Sequence, residues 1–423
     1  MIPSPPATEN SLSSFTIFRI LVPFSFGYFF SFLFRSINAV IAPDLVRDVG
    51  ASAADLGLIT SVYFFSFALF QIPLGILLDR YGPRIVAPII LLIAALGSFI
   101  FAAGGSVSTL VAGRVLIGLG CSAALMSAFM ANVLWFPKKS LGLANGVLMT
   151  VGGLGALAAT APAEIFLRAA SWRTMFILLG AVTALVAGLT YLAVPSRAPA
   201  RRGESARAQW RGVAAILKSP VFWRYAPTCS LTSAMSLGLQ GLWAAPWLRD
   251  VAGLNPEAVA RHLFVIAVFM VAGYALMGLI IDTMRRFRVG HRLVTGMGLL
   301  LFLAVQLMIS LGYTESTYIL WASFGFLGTI NTPYYAIMTT LFPAHMAGRV
   351  NTTLNLTYLL GIMIAQYAIG IVIDFWPVTA GGGYDPAAYS AAFGLFLGLQ
   401  AIALVWFLWP RREEETISRF RNT

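Results

Sequence analysis

The residues most able to do chemistry in this chain are the few charges set inside apolar sequence. Arg35 lies in Phe34-Arg35-Ser36-Ile37-Asn38-Ala39-Val40-Ile41-Ala42-Pro43, and Arg114 opens Arg114-Val-Leu-Ile-Gly118-Leu-Gly120. A charge in such a setting costs at least about 2.5–3.5 kcal/mol on insertion scales, so each must have a ligand or a partner. Guanidinium presents a planar fork of donors that matches carboxylate or phosphate. Anion recognition is therefore the expectation for Arg35, with Asn38 one turn on. The alternative is an arginine that snorkels to the surface or bonds a backbone carbonyl.

Later in the chain the polar groups are amides and aromatics. Gln240, Trp243 and Trp247 follow an i, i+3, i+7 spacing that places them on one helix face. Asn331, Tyr334 and Tyr335 interrupt one apolar run, and Asn355 and Tyr358 share a face of another, with Gln366 beyond. Amides and phenols can bond a polar solute and line a cavity. They can equally bond one another between helices, at under about 1 kcal/mol each on average. There is no phosphate-binding loop, nucleophile elbow or zinc motif, so an enzyme is not expected. Cys121 and Cys229 both fall in apolar runs, which argues against a disulfide framework. His262, His291 and His345 fall at predicted helix ends, and neither a metal site nor a cofactor is expected.

The elements that must position these residues follow from composition. The chain has 423 residues, 59% hydrophobic and 10% charged. A soluble domain carries roughly 25% charged residues, so lipid is the solvent that suits this chain. The fold class expected is an all-α membrane protein. Apolar runs give twelve spans, at roughly 17–42, 56–78, 84–105, 108–135, 141–167, 172–194, 220–248, 259–282, 292–313, 316–341, 347–375 and 388–409. The longest polar interruption, 195–219, carries five arginines and Lys218 against Glu204. It divides the chain into a six-helix bundle at 1–194, a basic linker and a second six-helix bundle at 220–423. The start, with Pro3, Pro5 and Pro6, reads as a short tail without the features of a secretory signal.

Net charge is +12, and its distribution sets orientation. Even-numbered connections hold Arg80 and Arg84, Lys138 and Lys139, the linker, Arg285, Arg286, Arg288 and Arg292, and Arg349. The other side holds fewer cations and most of the carboxylates. Basic loops stay in the cytoplasm, so both termini are expected there, in a bacterial-type inner membrane. The same distribution explains the positive charge without nucleic acid, since basic loops meet anionic headgroups. A monomer is expected.

The connection between spans 2 and 3 reads Gly75-Ile-Leu-Leu-Asp79-Arg80-Tyr-Gly82-Pro-Arg84. A degraded copy, Gly278-Leu-Ile-Ile-Asp282-Thr-Met-Arg285, falls six spans later, between spans 8 and 9. Arg114 with Gly118, Ser171-Trp172-Arg173 with Phe176, and Trp135-Phe136-Pro137 with Gly142 complete the set. In this order the motifs resemble those of the major facilitator superfamily, whose loop signature is G-x-x-x-D-R-x-G-x-R. The resemblance implies two pseudo-symmetric six-helix halves that alternate access to a midplane site. It also implies that Gly75, Asp79, Arg80, Gly82, Arg84, Asp282 and Arg285 form latches between the halves.

The sequence around Arg35 resembles D-R-x-N-x-x-x-A-x-P of organic-anion carriers in the superfamily, in which the arginine binds a carboxylate or phosphate; Arg35 and Pro43 are in register, and Asn38 and Ala42 each stand one place later than in that pattern. Phe34 replaces the aspartate of that pattern, which puts proton coupling through it in doubt. Arg114 by the same resemblance either reaches substrate or bonds the backbone of span 1. The expected binding set is Arg35, Asn38, Arg114, Gln240, Trp243, Asn331, Tyr334, Asn355 and Tyr358. Glycine-rich span 5, with Gly142 and Gly146 as a G-x-x-x-G face, predicts close helix packing. Small-organic-anion transport is the leading expectation. Efflux of hydrophobic compounds is the alternative, and a non-transporting membrane sensor is a third reading that lacks a signalling domain.

Overall fold

A computed structural model describes residues 14–137, 140–196, 206–287, 291–330, 334, 337–338, 341–343, 346–379 and 381–409. All regular structure among them is helical. Span 1 is two helices, Ser14–Ser36 and Asn38–Val49, and span 2 is Ala53–Tyr81. Span 3 is Pro83–Ala102, span 4 pairs Val107–Cys121 with Ala123–Trp135, and span 5 pairs Leu141–Ala158 with Ala161–Ala169. Span 6 is Trp172–Ala193. Span 7 runs from Pro220–Gly238 through a π-helical turn, Leu239–Trp243, into Ala244–Asp250. Spans 8, 9, 11 and 12 are Pro256–Arg286, His291–Ser310, Ala347–Ile373 and Pro386–Leu408, and span 10 starts as Thr317–Leu327.

Among the described residues nine spans are long and apolar enough to cross a membrane, or ten when the bent span 5 is joined. The breaks in span 7 and the part of span 10 outside the described residues account for the other two. Most expected ends lie within four residues of the observed ones, because the charge and Pro/Gly punctuation that delimits apolar runs also caps helices; span 1 is the exception, continuing through Pro43 to Val49, seven residues past its expected end.

The spans pack as two repeats. In the first half span 1 lies against 5, 2 against 4 and 3 against 6. In the second half 7 lies against 11, 8 against 10 and 9 against 12, the same pairs shifted by six. The halves meet where span 2 packs on 11 and span 5 on 8, contacts that exchange under the same shift. This pairing is what two related bundles facing each other produce.

The two ends of the molecule differ chemically. Even-numbered spans start at the end opposite the basic loops, and several carry oxygen caps: Ser52 on span 2, Ser106 on 4, Ser171 on 6 and Asp385 on 12. Each accepts from a backbone N–H of the first turn and so satisfies a donor that the helix leaves free. At the basic end Gly82 turns the chain between spans 2 and 3 with φ of 75°, and Pro83 opens span 3. Linker residues 197–205 lie outside the described residues, and Ala206–Leu217 forms a helix at the basic end with Val213 and Ile216 buried. The expected linker is therefore helical in its second half, with Val213 and Ile216, three residues apart, on one buried face, a spacing that its basic residues obscure in the sequence.

Span 5 corrects one expectation. Gly146 has open space around it and lines the central cavity, and Gly142 lies outside the residues whose surroundings are described. Close packing occurs instead at Gly152 and Gly155, where any side chain would strike the Tyr28 ring and the Phe29 carbonyl of span 1.

Candidate substrate site

Between the halves lies a cavity of about 600 Å³. Its lining comes from spans 1, 2, 4 and 5 on one side and from 7, 8 and 11 on the other. Those residues, such as Tyr28, Gln71 and Met149, sit at mid-depth and in the part of each span nearer the basic end. The volume falls in the range of small-molecule sites.

The other end is closed. Gly57 and Gly370 bring spans 2 and 11 so close that a side chain at either would meet the facing backbone. The Asp374 carboxylate, just past span 11, accepts the Ala53 and Ala54 N–H groups at 3.1 and 2.9 Å. Carboxylate at a helix N-terminus is favoured by both the free donors and the helix dipole. Arg168 of span 5 pairs with Glu257 of span 8 at 3.2 Å, another contact between the halves.

Three helix irregularities fall at cavity depth. Ile37, two residues after Arg35, and Ser122, which lines the cavity, each interrupt a span for one residue while keeping helical dihedral angles. In span 7 the Ala244 N–H reaches back five residues to the Leu239 carbonyl. Pro246, without an N–H, leaves the Leu242 carbonyl no α-helical partner, and the wider turn accommodates this. Gly241 in that turn lies against the backbone of Arg35, so the span 1 interruption and the span 7 turn meet beneath the cavity.

Arg35 lines the cavity. Its guanidinium carbon lies 4.7 Å from the Phe32 ring centre, 5.6 Å from Phe67 and 5.7 Å from Phe64. These rings stabilise the cation without consuming its donors. Nε is buried with no hydrogen-bond partner, and no described carboxylate pairs with the group. The phenols of Tyr28, Tyr63, Tyr274 and Tyr358 are its electrostatic neighbours. A buried donor without a partner is costly, and an anion in the cavity would satisfy it.

Asn355 and Tyr358 also line the cavity, joining Arg35 from the facing half. The other expected binding residues lie elsewhere. Arg114, 1% exposed, donates to the Phe34 carbonyl at 2.7 Å and sits over the Phe101 and Phe176 rings. Asn38 donates to Thr60 Oγ1 at 2.8 Å. Gln240 is buried in the π-helical turn, and the Trp243 indole donates to the Gln366 carbonyl at 3.1 Å. Tyr334 is buried among Tyr225 and Phe407, and Asn331 lies outside the described residues. Sequence reasoning missed Tyr28, Gln71 and Tyr274. Their signal was a polar group in an apolar run, but aromatic residues are common there and no spacing set these apart.

Around the signature loop, Gly75 lies within span 2, Asp79 near its end is engaged with a partner, and Arg80 stacks on Tyr81 at 5.2 Å. Arg84 donates to the Tyr191 carbonyl of span 6 at 3.2 Å, a contact within the first half. Asp282 and Arg285 are in span 8, outside the residues whose side chains are described. The Ser171-Trp172-Arg173 motif has a clear structural role. Both Trp172 Nε1 and Arg173 donate to Asp48 Oδ2, at 2.9 and 3.0 Å, which ties the end of span 1 to the start of span 6.

Two facing six-span bundles around one central cavity make this a polytopic transporter fold. The family model described as Major Facilitator Superfamily matches residues 24–366, and the chain belongs to that superfamily. It is similar to the probable sulfoacetate transporter of Cupriavidus necator, at 26% identity over 89% of this chain and 90% of that one. It is also similar to the hexuronate transporter of Escherichia coli, at 24% identity over 74% and 72% of the two chains. Among solved structures it resembles a bacterial homologue of the human lysosomal transporter Spinster, captured inward-facing and unoccupied. There the TM-score is 0.75 at 19% identity, with 99% of each chain covered.

Proposed function

We propose that this chain is a secondary transporter that moves a small organic anion, of carboxylate type, by rocking of residues 1–194 against 220–423. The observation that carries the reading is Arg35: a guanidinium on the wall of the central cavity, held by aromatic faces, with Nε unpartnered. The names of the curated relatives, sulfoacetate and hexuronate transporters, support an organic acid as cargo. With both termini in the cytoplasm, as the basic loops argue, the cavity faces inward and the Asp374 and Arg168–Glu257 contacts close the outer side. Reaching the outward state requires those contacts to part. The loops at Asp79 and Asp282 then serve as latches on the cytoplasmic side.

The test is thermal stability of the purified protein against mono- and dicarboxylates, sugar acids, inorganic anions and cationic drugs, with Arg35→Ala beside it. A ligand that binds only the folded form raises its stability. An anion that stabilises the wild type and not Arg35→Ala is the expected result. Stabilisation by hydrophobic cations alone, equal in both proteins, favours efflux instead. One observation supports that second reading: much of the cavity wall is apolar, including Met126, Met149 and Leu237.

A further inference from the structure

The polar groups of the cavity are unevenly committed. Ser122 Oγ donates to the Leu119 carbonyl at 2.6 Å and Thr150 Oγ1 to the Gly146 carbonyl at 2.9 Å, each within its own span. Gln71 Nε2 points at the Phe67 and Ser122 carbonyls, at 3.3 and 3.4 Å. The Tyr28 hydroxyl faces the Met149 sulfur at 3.7 Å, and Asn355 is engaged as well. Among the described residues, no hydrogen bond occupies the hydroxyl of Tyr274 or Tyr358. Open donor capacity therefore lies with the Arg35 guanidinium and the phenols of Tyr274 and Tyr358, which line the same cavity from the two halves.

The rest of the wall offers little to a hydroxylated solute. Met126, Met149 and Met270 come from three spans, with Phe32, Phe67 and Leu359 between them. Methionine is flexible and polarizable and packs against irregular or aromatic shapes. A sugar acid placed here would bring several hydroxyls against thioethers and rings, and each hydroxyl left unpaired costs free energy. A dianion would bring two charges to a single described cation.

We infer that the cavity selects an amphiphilic monoanion: one carboxylate or sulfonate head on Arg35, Tyr274 and Tyr358, and an apolar or aromatic body against the methionine wall. This rests on the reading of Arg35 as an anion site and adds the chemistry of the remainder of the molecule. It separates this chain from the polyhydroxylated and dianionic cargoes that its relatives' names record.

The experiment measures binding to the full chain in lipid nanodiscs by calorimetry, with four probes. They are 3-phenylpropionate, its neutral amide, glucuronate and succinate, each against wild type, Arg35→Gln and Met126→Gln. Glutamine matches methionine in length and supplies the hydrogen bonds that the thioether lacks. Expected is 3-phenylpropionate binding at least about tenfold tighter than glucuronate or succinate, because burying a ring-sized apolar body is worth more than RT several times over. The amide and Arg35→Gln should each lose that binding, and Met126→Gln should narrow the preference over glucuronate. Glucuronate or succinate binding as tightly as 3-phenylpropionate, and still lost in Arg35→Gln, overturns the amphiphile and leaves the anion site standing. Amide and acid binding alike, or binding unchanged in Arg35→Gln, overturns both.

Discussion

Arg114 donates to the carbonyl of Phe34 at 2.7 Å, one residue before Arg35. One embedded arginine thus holds the backbone that presents the other, close to the interruption of span 1 at Ile37. The adjacent Phe101 and Phe176 rings both face the Arg114 guanidinium. Arg114→Ala removes the donor and the packing together and should lower stability by about 2–4 kcal/mol, since a buried carbonyl is orphaned and a cavity is left. Arg114→Met keeps the volume and should recover about half of that loss. Both variants should weaken anion binding although neither removes a cavity-lining group, and thermal unfolding with parallel calorimetry reads the two effects separately.

The tie between span 1 and span 6 has unequal strands. Trp172 is buried where it reaches Asp48, whereas the Arg173 side chain is 37% exposed. Screening by solvent reduces an exposed pair to under about 1 kcal/mol. Trp172→Phe, which removes the indole N–H together with part of a buried ring, should therefore cost more, about 2–4 kcal/mol, than Arg173→Gln. Unfolding midpoints of the two variants check the order.

Asp374 supplies the clearest polar bond between the halves at the closed end. Asp374→Ala leaves the first N–H groups of span 2 without their partner and should shift the population toward states open at that end. A cysteine at Ala260, buried beside the outer ion pairs, reports this through labelling by an impermeant thiol reagent. Both native cysteines are buried and contribute little background. Labelling should rise about tenfold, as expected for loss of a charge-assisted bond of about 1.4 kcal/mol.

Glycines of span 5 should respond oppositely to one methyl group. Gly155→Ala strikes the Phe29 carbonyl and should lower the yield and unfolding temperature of folded protein, while Gly146→Ala enters open space and should leave both unchanged. Overpacking of that kind typically costs about 1–3 kcal/mol.

How much of this could be read from sequence depended on the physical reach of each signal. The span ends were legible because a bilayer imposes a length on every apolar run and charges must leave it. Arg35 was legible for the same reason, since an arginine in lipid stands out one residue at a time. The partners of the polar residues were not. Gln240, Trp243 and Trp247 have the spacing of one helix face, yet Trp243 donates to the Gln366 carbonyl of span 11, Trp247 to the Ile309 carbonyl of span 9, and none of the three lines the cavity. Periodicity identifies a face and says nothing of which neighbour meets it. Tyr274 became visible only once span 8 was placed opposite Arg35. The one-residue interruptions at Ile37 and Ser122 carry no proline, so no local residue announced them.

The central claim is that Arg35 reads the charge of the cargo. Its most direct test is uptake of a labelled monocarboxylate, chosen as one that stabilises the wild type, into proteoliposomes holding wild type or Arg35→Gln at matched folded amounts. Two charge-assisted hydrogen bonds at about 1.4 kcal/mol each predict a loss of about a hundredfold in uptake at low substrate. Arg35→Gln with wild-type uptake, from protein that unfolds at the wild-type temperature, would contradict the account.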